Sequence, residues 1–186
     1  MIKQLFIIIV LCNLFWLNNV YANDDIEIVI LRSEHLLQVK KNDIILRSFT
    51  AAFGSGGNKT KRQQGDYITP KGSYKISNIR SSGRFHLFMQ INYPSIEDAD
   101  RGLKNYIITQ QQYQAIVSAH NKNKLPPQNT ALGGIIGLHG IGVETQDKLD
   151  IHQFADWTQG CIALRNDEID DLKRYIKVGT KVTITD

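Results

Sequence analysis

A single cysteine near the C-terminus has the sequence context of a nucleophile. Cys161 lies in the stretch DWTQGCIALRN (156–166), directly after Gly160. A thiol attacks a carbonyl carbon when it is accessible and when a neighbouring base or positive charge favours the thiolate. Gly160 permits a tight turn, and backbone N–H groups around a bent Gly-Cys pair can point at a developing oxyanion. These residue types therefore indicate acyl transfer by a cysteine.

A cysteine nucleophile needs a base, and His139 is the histidine whose position fits that role best. Imidazole exchanges a proton readily near neutral pH. His139 ends the apolar stretch IIGL and is followed by Gly140, so it is held rigidly at the mouth of a buried strand yet is reachable. The other histidines lie in strand patterns, at a helix end or in a polar stretch: His35, His86, His120 and His152.

Both residues also have structural interpretations. Taken alone, Cys161 could be a buried small hydrophobe or an intermolecular linker. His139 could equally be a histidine at the core edge that bonds to backbone. The second cysteine, Cys12, is expected to leave with the N-terminal segment described next, so no internal disulfide forms and a thiol oxidoreductase would lack a resolving cysteine.

The first 22 residues have the three-part pattern of a secretory signal peptide. Lys3 precedes an apolar run that ends at Leu17, and Val20-Tyr21-Ala22 offers small residues at the cleavage positions. The apolar run is shorter than the roughly 20 residues of a spanning helix, which argues against the alternative of an uncleaved membrane anchor. We expect a signal peptide at 1–22 and one catalytic domain at 23–186, exported to the periplasm or otherwise to the bacterial cell wall, with no stable membrane insertion after cleavage.

The charge of the chain is mildly basic. The 22 basic and 18 acidic residues give +4, and loss of Lys3 with the signal leaves +3. Basic side chains are not interleaved with aromatic ones as they are on nucleic-acid surfaces, so no nucleic-acid partner is expected. The charge supports only a weak attraction to an acidic polymer or an anionic surface.

Hydrophobic patterning predicts a β-rich α+β domain with two or three helices. Strands are predicted wherever β-branched and aromatic residues cluster, at 26–31, 35–40, 43–53, 73–79, 85–93, 135–140 and 181–185. The glycine-rich stretch 54–72 is predicted to be a loop. Thr109 and Gln112 form a capping-box pattern that predicts a helix over about 110–121. Asn166 is predicted as the N-cap of a last helix that Gly179 ends.

Two motifs resemble the L,D-transpeptidase catalytic-domain family, also called YkuD-like. GLHG (137–140) followed by DWTQGCIALRN is similar to the family's histidine and Ser/Thr-x-Gly-Cys signature. GDYITPKGSYKI (65–76) resembles its Gly-Asp-x-x-Thr-Pro-x-Gly loop leading into a strand. The resemblance covers nearly all of the chain after the signal and implies the family's β-sandwich or barrel-like catalytic domain.

The resemblance implies acyl transfer on peptidoglycan stem peptides with no metal or organic cofactor. Cys161 would attack the carbonyl of the L-centre of a diamino acid, expel the terminal D-alanine and form a thioester, while His139 relays the proton. An amine of a neighbouring stem, a protein amine or water would then release the thioester. The oxyanion and substrate-binding residues would be Gly160, Thr158, Gln159, Gly140 and Arg165.

Departures from the family pattern leave the acceptor open. Gln159 stands where the family often has histidine, and Ala163 stands where many members have arginine or asparagine. The spacing between His139 and Cys161 also predicts an enlarged loop at 143–155. A hydrolase that trims stem peptides or cuts protein–peptidoglycan links is one alternative. A non-catalytic cell-wall-binding domain is another, although retention of both Cys161 and His139 argues against it.

Overall fold

A computed structural model describes residues 26–186 and shows, within that range, one mixed sheet of eight strands with four helices. The strands are β1 (Ile26–Leu31), β2 (Leu36–Lys41), β3 (Ile44–Thr50), β4 (Gly72–Ser82), β5 (His86–Ile91), β6 (Gly137–His139), β7 (Ile162–Ala163) and β8 (Lys181–Thr185). The helices are α1 (Ile96–Lys104), α2 (Gln110–Asn121), α3 (Gln146–Phe154) and α4 (Asn166–Lys173).

The sheet has the strand order β3-β2-β1-β8-β4-β5-β6-β7. Two pairs are parallel, β1 with β8 and β6 with β7, and the others are antiparallel. The segment after β3 reaches the opposite edge, where Ala52 and Ala163 exchange backbone hydrogen bonds of 3.0 and 2.8 Å. The sheet is not closed into a barrel, but this bridge joins its two edges next to β7.

The core forms where alternating strands place their apolar faces together. In β1, Ile28 and Ile30 are fully buried, and they stand in register with the buried residues Val182 and Ile184 of β8. Buried and more exposed side chains alternate along β1. This period of two is typical of a strand that packs one face against a core. The first and last strands of the described chain therefore support each other at the centre of the sheet.

The β-rich α+β class and the predicted strands are confirmed, and the predicted helix α2 begins with the expected capping box. Thr109 Oγ1 accepts the N–H of Gln112, and Gln112 Oε1 accepts the N–H of Thr109. The structure has four helices rather than two or three. Helix α1 has its own capping box, formed by Ser95 and Asp98, and α3 replaces the loop expected at 143–155.

The predicted N-cap of the last helix is wrong by one residue. Arg165 is the N-cap of α4, and its backbone N–H donates to Glu168 Oε2 at 3.0 Å. The Asn166 side chain instead bonds both backbone groups of Gly142, with its Nδ2 donating over 2.7 Å and its Oδ1 accepting over 3.2 Å. Asn166 therefore fastens the segment after β6 to the start of α4.

The predicted signal peptide lies outside the described residues. Within residues 26–186, none of the helices combines the length and the apolar character that crossing a bilayer requires.

A buried arginine fastens the long loop between β3 and β4 to the end of the chain. Arg32 is 1% exposed, and its guanidinium donates to the carbonyl oxygens of Thr69 at 2.6 Å and Asn58 at 2.7 Å. It also pairs with the Asp186 carboxylate, Nε to Oδ1 at 3.0 Å. Because Thr69 touches the cysteine segment described below, Arg32 also fixes one wall of that site.

We predict that Arg32→Met lowers the free energy of unfolding by about 3 kcal/mol, since the substitution keeps the apolar stem but leaves the carbonyl oxygens of Thr69 and Asn58 without this donor. The Asp186 carboxylate loses one of its two cationic partners and retains Lys71. Urea unfolding at neutral pH measures the change. Arg47→Met is the matched control, because the Arg47 side chain is half-exposed beside Asp171. Equal losses in the two variants would contradict the anchoring role of Arg32.

Candidate active site

The chain makes a tight turn directly before Cys161, and glycine is required in it. Gly160 has φ +120°, and a Cβ at this position would lie 2.9 Å from the carbonyl oxygen of Ile68. Both the backbone conformation and the close approach of the loop before β4 exclude a larger residue. The turn leads from Thr158 to Cys161, and β7 begins at the next residue.

Two buried threonine hydroxyls hold the carbonyl of Cys161. Thr158 Oγ1 donates to Cys161 O at 2.7 Å and accepts the N–H of Gly160 at 3.1 Å. Thr69 Oγ1 donates to the same carbonyl at 3.4 Å and accepts the N–H of Gly54 at 2.9 Å. The N–H of Gly160 is therefore engaged by Thr158 and is not free for the oxyanion role expected from the sequence. The N–H of Cys161 bonds no other described residue.

The parallel pairing of β6 with β7 brings His139 and Cys161 to the same face of the sheet. Leu138 stands opposite Ile162, and both are fully buried; His139 stands opposite Ala163. Because side chains alternate along a strand, the residue two positions before Ala163 shares the face of His139. That residue is Cys161, which comes directly before β7. Residues 22 positions apart in sequence thus become diagonal neighbours.

His139 is 2% exposed and lies among aromatic rings. The centroid of its ring is 4.2 Å from that of Phe85, 6.4 Å from that of Phe88 and 5.8 Å from that of Trp157, whose ring stands edge-on. Burial lowers the pKa of His139 to about 4. The imidazole is therefore neutral at pH 7.

The Gly140 carbonyl selects one tautomer of this neutral imidazole. His139 Nδ1 lies 2.8 Å from Gly140 O, and a carbonyl oxygen can only accept, so Nδ1 carries the proton. The lone pair of Nε2 is then available to take a proton. Gly140 itself is required by packing, since a Cβ there would overlap the Asn166 side chain and the carbonyl of Phe85. Gly140, predicted to bind substrate, thus orients the histidine through its carbonyl oxygen.

The thiol of Cys161 is protonated at rest. Burial raises the pKa of Cys161, while the backbone N–H of Gly137 and the positive charges of Lys61 and Arg84 lower it by smaller amounts. The sulfur lies 3.6 Å from the carbonyl oxygen of Ile135, to which the thiol donates. The resting site therefore contains a neutral thiol and a neutral imidazole. The positive charges of Lys61 and Arg84 would favour the thiolate once the thiol loses its proton.

The remaining predicted substrate residues lie at the surface. The Gln159 side chain is exposed beside the cysteine turn. The Arg165 side chain is 52% exposed, and its Nε lies 3.4 Å from the Asp167 carboxylate. Arg165 therefore pairs with the first turn of α4 at the surface. Burial lowers the pKa of His152, and the charge of Arg165 adds to that shift.

His152 has an ordered neighbourhood that the sequence did not reveal. It lies on α3, is buried, and its Nδ1 accepts the indole N–H of Trp157 at 3.3 Å. Trp157 thus stands between His152 and His139. The other three histidines bond elsewhere, His35 to Asp156, His86 to Asp170 and His120 to the carbonyl of Pro94.

Several site residues escaped the sequence analysis because their contacts join distant segments. Thr69 and Lys61 come from the loop before β4, and Arg84 and Phe85 from the turn before β5. The Thr-Pro motif could have marked Thr69 as a site residue, and the position of Trp157 four residues before Cys161 could have marked Trp157. Between residues 26 and 186 the structure has no cluster of three histidine, cysteine or acidic side chains that could hold a metal ion.

The sequence profile of the YkuD L,D-transpeptidase catalytic domain matches residues 25–184. The chain therefore belongs to the L,D-transpeptidase catalytic-domain family, and the resemblance seen in the two motifs is confirmed. No curated protein matches the chain at a significant level.

Three solved structures show the same fold. Bd1075 from Bdellovibrio bacteriovorus is 21% identical with a TM-score of 0.55, over 88% of this chain and 48% of that one. The helical cell shape determining protein Pgp2 from Campylobacter jejuni is 18% identical with a TM-score of 0.54, over 88% and 49%. An L,D-transpeptidase from Stackebrandtia nassauensis is 12% identical with a TM-score of 0.51, over 89% and 57%. The chain thus spans about half the length of these proteins.

We predict that Thr158→Val makes the cysteine turn less rigid, because valine keeps the shape of threonine but removes both hydrogen bonds to the turn. The free energy of unfolding should fall by about 1–3 kcal/mol. Thr158→Ser is the matched control, since it keeps the hydroxyl. Urea unfolding compares the two variants. A serine variant that loses as much as the valine variant would show that the methyl group, and not the hydroxyl, supports the turn.

Proposed function

We propose that this protein is an exported L,D-transpeptidase that acts on peptidoglycan stem peptides through a thioester on Cys161. The observation that supports the proposal is the parallel pairing of β6 with β7, which brings the segment of Cys161 alongside the strand of His139 in a chain of this family. The His139 imidazole has its proton on Nδ1, so its Nε2 can accept one. Export is supported by the signal pattern of residues 1–22.

In the first half of the reaction, His139 Nε2 takes the thiol proton as the sulfur attacks the carbonyl carbon at the L-centre of the diamino acid. The C–S bond forms, and the carbonyl becomes a tetrahedral oxyanion. The N–H of Cys161 is free to donate to this oxygen. When the intermediate collapses, the bond to the terminal D-alanine breaks, and the imidazolium returns the proton to its amine. The products are a thioester on Cys161 and free D-alanine.

In the second half, an amine or water attacks the thioester carbonyl. His139 takes a proton from the attacking group and returns it to the sulfur as the C–S bond breaks, so the thiol is regenerated. An amine of a second stem gives a cross-link, and water gives a tripeptide. The aromatic rings of Phe85 and Trp157 against His139 exclude water from the imidazole. This shielding keeps the base neutral and supports transfer to an amine.

The charges around Cys161 fit this two-stage chemistry. A neutral thiol is a weak nucleophile, so the reaction needs the thiolate to form when the peptide is in place. Lys61 and Arg84 favour the thiolate electrostatically, and the low pKa of His139 makes the imidazolium a strong acid toward the leaving amine.

We predict that Cys161→Ser abolishes turnover of disaccharide-tetrapeptide, because a hydroxyl needs far stronger activation than His139 supplies. Mass spectrometry of the products gives the readout for wild type. Dimers lacking one D-alanine establish transpeptidation, and tripeptides establish the hydrolytic reaction on the same thioester.

The control is Gln159→Ala, which changes an exposed side chain beside the same turn. Its folding should match that of the wild type by thermal unfolding. Turnover near the wild-type rate in the Cys161→Ser protein would contradict the covalent mechanism. Binding of the peptide by wild type without any product would contradict the enzyme and support a wall-binding domain.

A further inference from the structure

The turn between β4 and β5 lies directly against His139. Its residue Phe85 stacks on the His139 ring, with centroids 4.2 Å apart. The backbone of the turn packs on two glycines, since a Cβ at Gly142 would overlap the carbonyl of Arg84 and one at Gly140 would lie 2.8 Å from the carbonyl of Phe85. These contacts fix the backbone of the turn relative to the site.

The Arg84 side chain extends from this fixed turn over the ring of Phe85. Its Cζ lies 4.9 Å from the centroid of the Phe85 ring, on which the guanidinium rests as a cation–π contact. Phe85 in turn stacks on the His139 ring, so a single aromatic ring links the guanidinium to the imidazole. The guanidinium is therefore an exposed cation beside the aromatic ring that covers His139.

Arg84 differs from the other cations near the site because no protein carboxylate satisfies it. Lys61 is buried and donates to Asp66 Oδ1 at 2.6 Å, and Arg165 pairs with Asp167. Among residues 26–186, no carboxylate pairs with the exposed Arg84 side chain. The position opposite His139 in β7 is Ala163, which is buried and uncharged. Arg84, in the hairpin formed by β4 and β5, therefore supplies a positive charge that no carboxylate of residues 26–186 pairs with.

From this arrangement we infer that Arg84 binds a carboxylate of the donor stem peptide and makes the enzyme select stems in which that carboxylate is free. The inference rests on the proposed function. A guanidinium offers two parallel N–H donors that match a carboxylate, and its rest on Phe85 leaves its edge open to such a ligand. The stem offers two sources, the terminal carboxylate of the leaving D-alanine and the side-chain carboxylate of the diamino acid.

The test compares three disaccharide-tetrapeptides. One has free carboxylates, one has the terminal D-alanine carboxylate as an amide, and one has the diamino acid's side-chain carboxylate as an amide. Arg84→Gln should raise KM for the free peptide about 10- to 100-fold and change kcat less, since it removes a charge-assisted contact of binding. For the amide that lacks the bound carboxylate, wild type and Arg84→Gln should have equal KM values.

Arg80→Gln is the matched control, because Arg80 lies on the same hairpin over Phe88, 4.9 Å from the ring centroid. The inference is overturned if Arg84→Gln behaves like Arg80→Gln with all three peptides, or if its higher KM persists with both amides. Calorimetric binding of the same peptides to Cys161→Ser, with and without Arg84→Gln, measures the contact without turnover. Carboxylate-dependent binding through Arg84 in a wild type that forms no product would contradict the proposed reaction and support the contact.

Discussion

The two-residue strand β7 pairs in parallel with β6, and this pairing determines which side chains can meet. Its inner face is the buried pair Leu138 and Ile162, which belongs to the core of the whole sheet. The opposite face carries His139, which aromatic rings cover, and, one residue before β7, Cys161. A slip of one residue would move one of these two side chains to the opposite face. The hydrophobic core therefore sets the geometry of the polar pair, and the threonine hydroxyls on the Cys161 carbonyl hold the turn that delivers the sulfur.

Burial then decides the protonation states of the pair. The aromatic surroundings lower the pKa of His139 to about 4, and burial raises the pKa of Cys161, so each group is neutral at rest. A thiolate–imidazolium ion pair of Cys161 and His139 would be less favourable at rest, because burial disfavours the charged form of both groups. The positive charges of Lys61 and Arg84 reduce the cost of forming the thiolate. Lys61 is paired with the partly buried carboxylate of Asp66, whereas Arg84 is exposed to solvent.

The sequence predicted the elements whose signals are local and missed those that depend on distant partners. Strand alternation located β1 and β8, and the Thr109 capping box located α2. Strand β7 is two residues long and is defined only by its partner β6. Helix α3 buries one residue, His152, so it has no apolar stripe that marks it. Cys161 and His139 could be predicted as site residues from their flanking glycines and apolar neighbours. Arg84 could not, because its position beside Phe85 and His139 depends on how the β4–β5 hairpin packs in the folded protein.

The pH dependence of Cys161 alkylation by iodoacetamide tests the neutral resting pair most directly. If the thiol and the imidazole are both neutral before substrate binds, the alkylation rate of the folded protein rises with pH. The inflection of this curve then lies above about pH 8.5, the ordinary pKa of a thiol. His139→Gln should then leave the position of that inflection nearly unchanged. An inflection below pH 7 that moves upward in His139→Gln would reveal a preformed thiolate–imidazolium ion pair and would contradict this account.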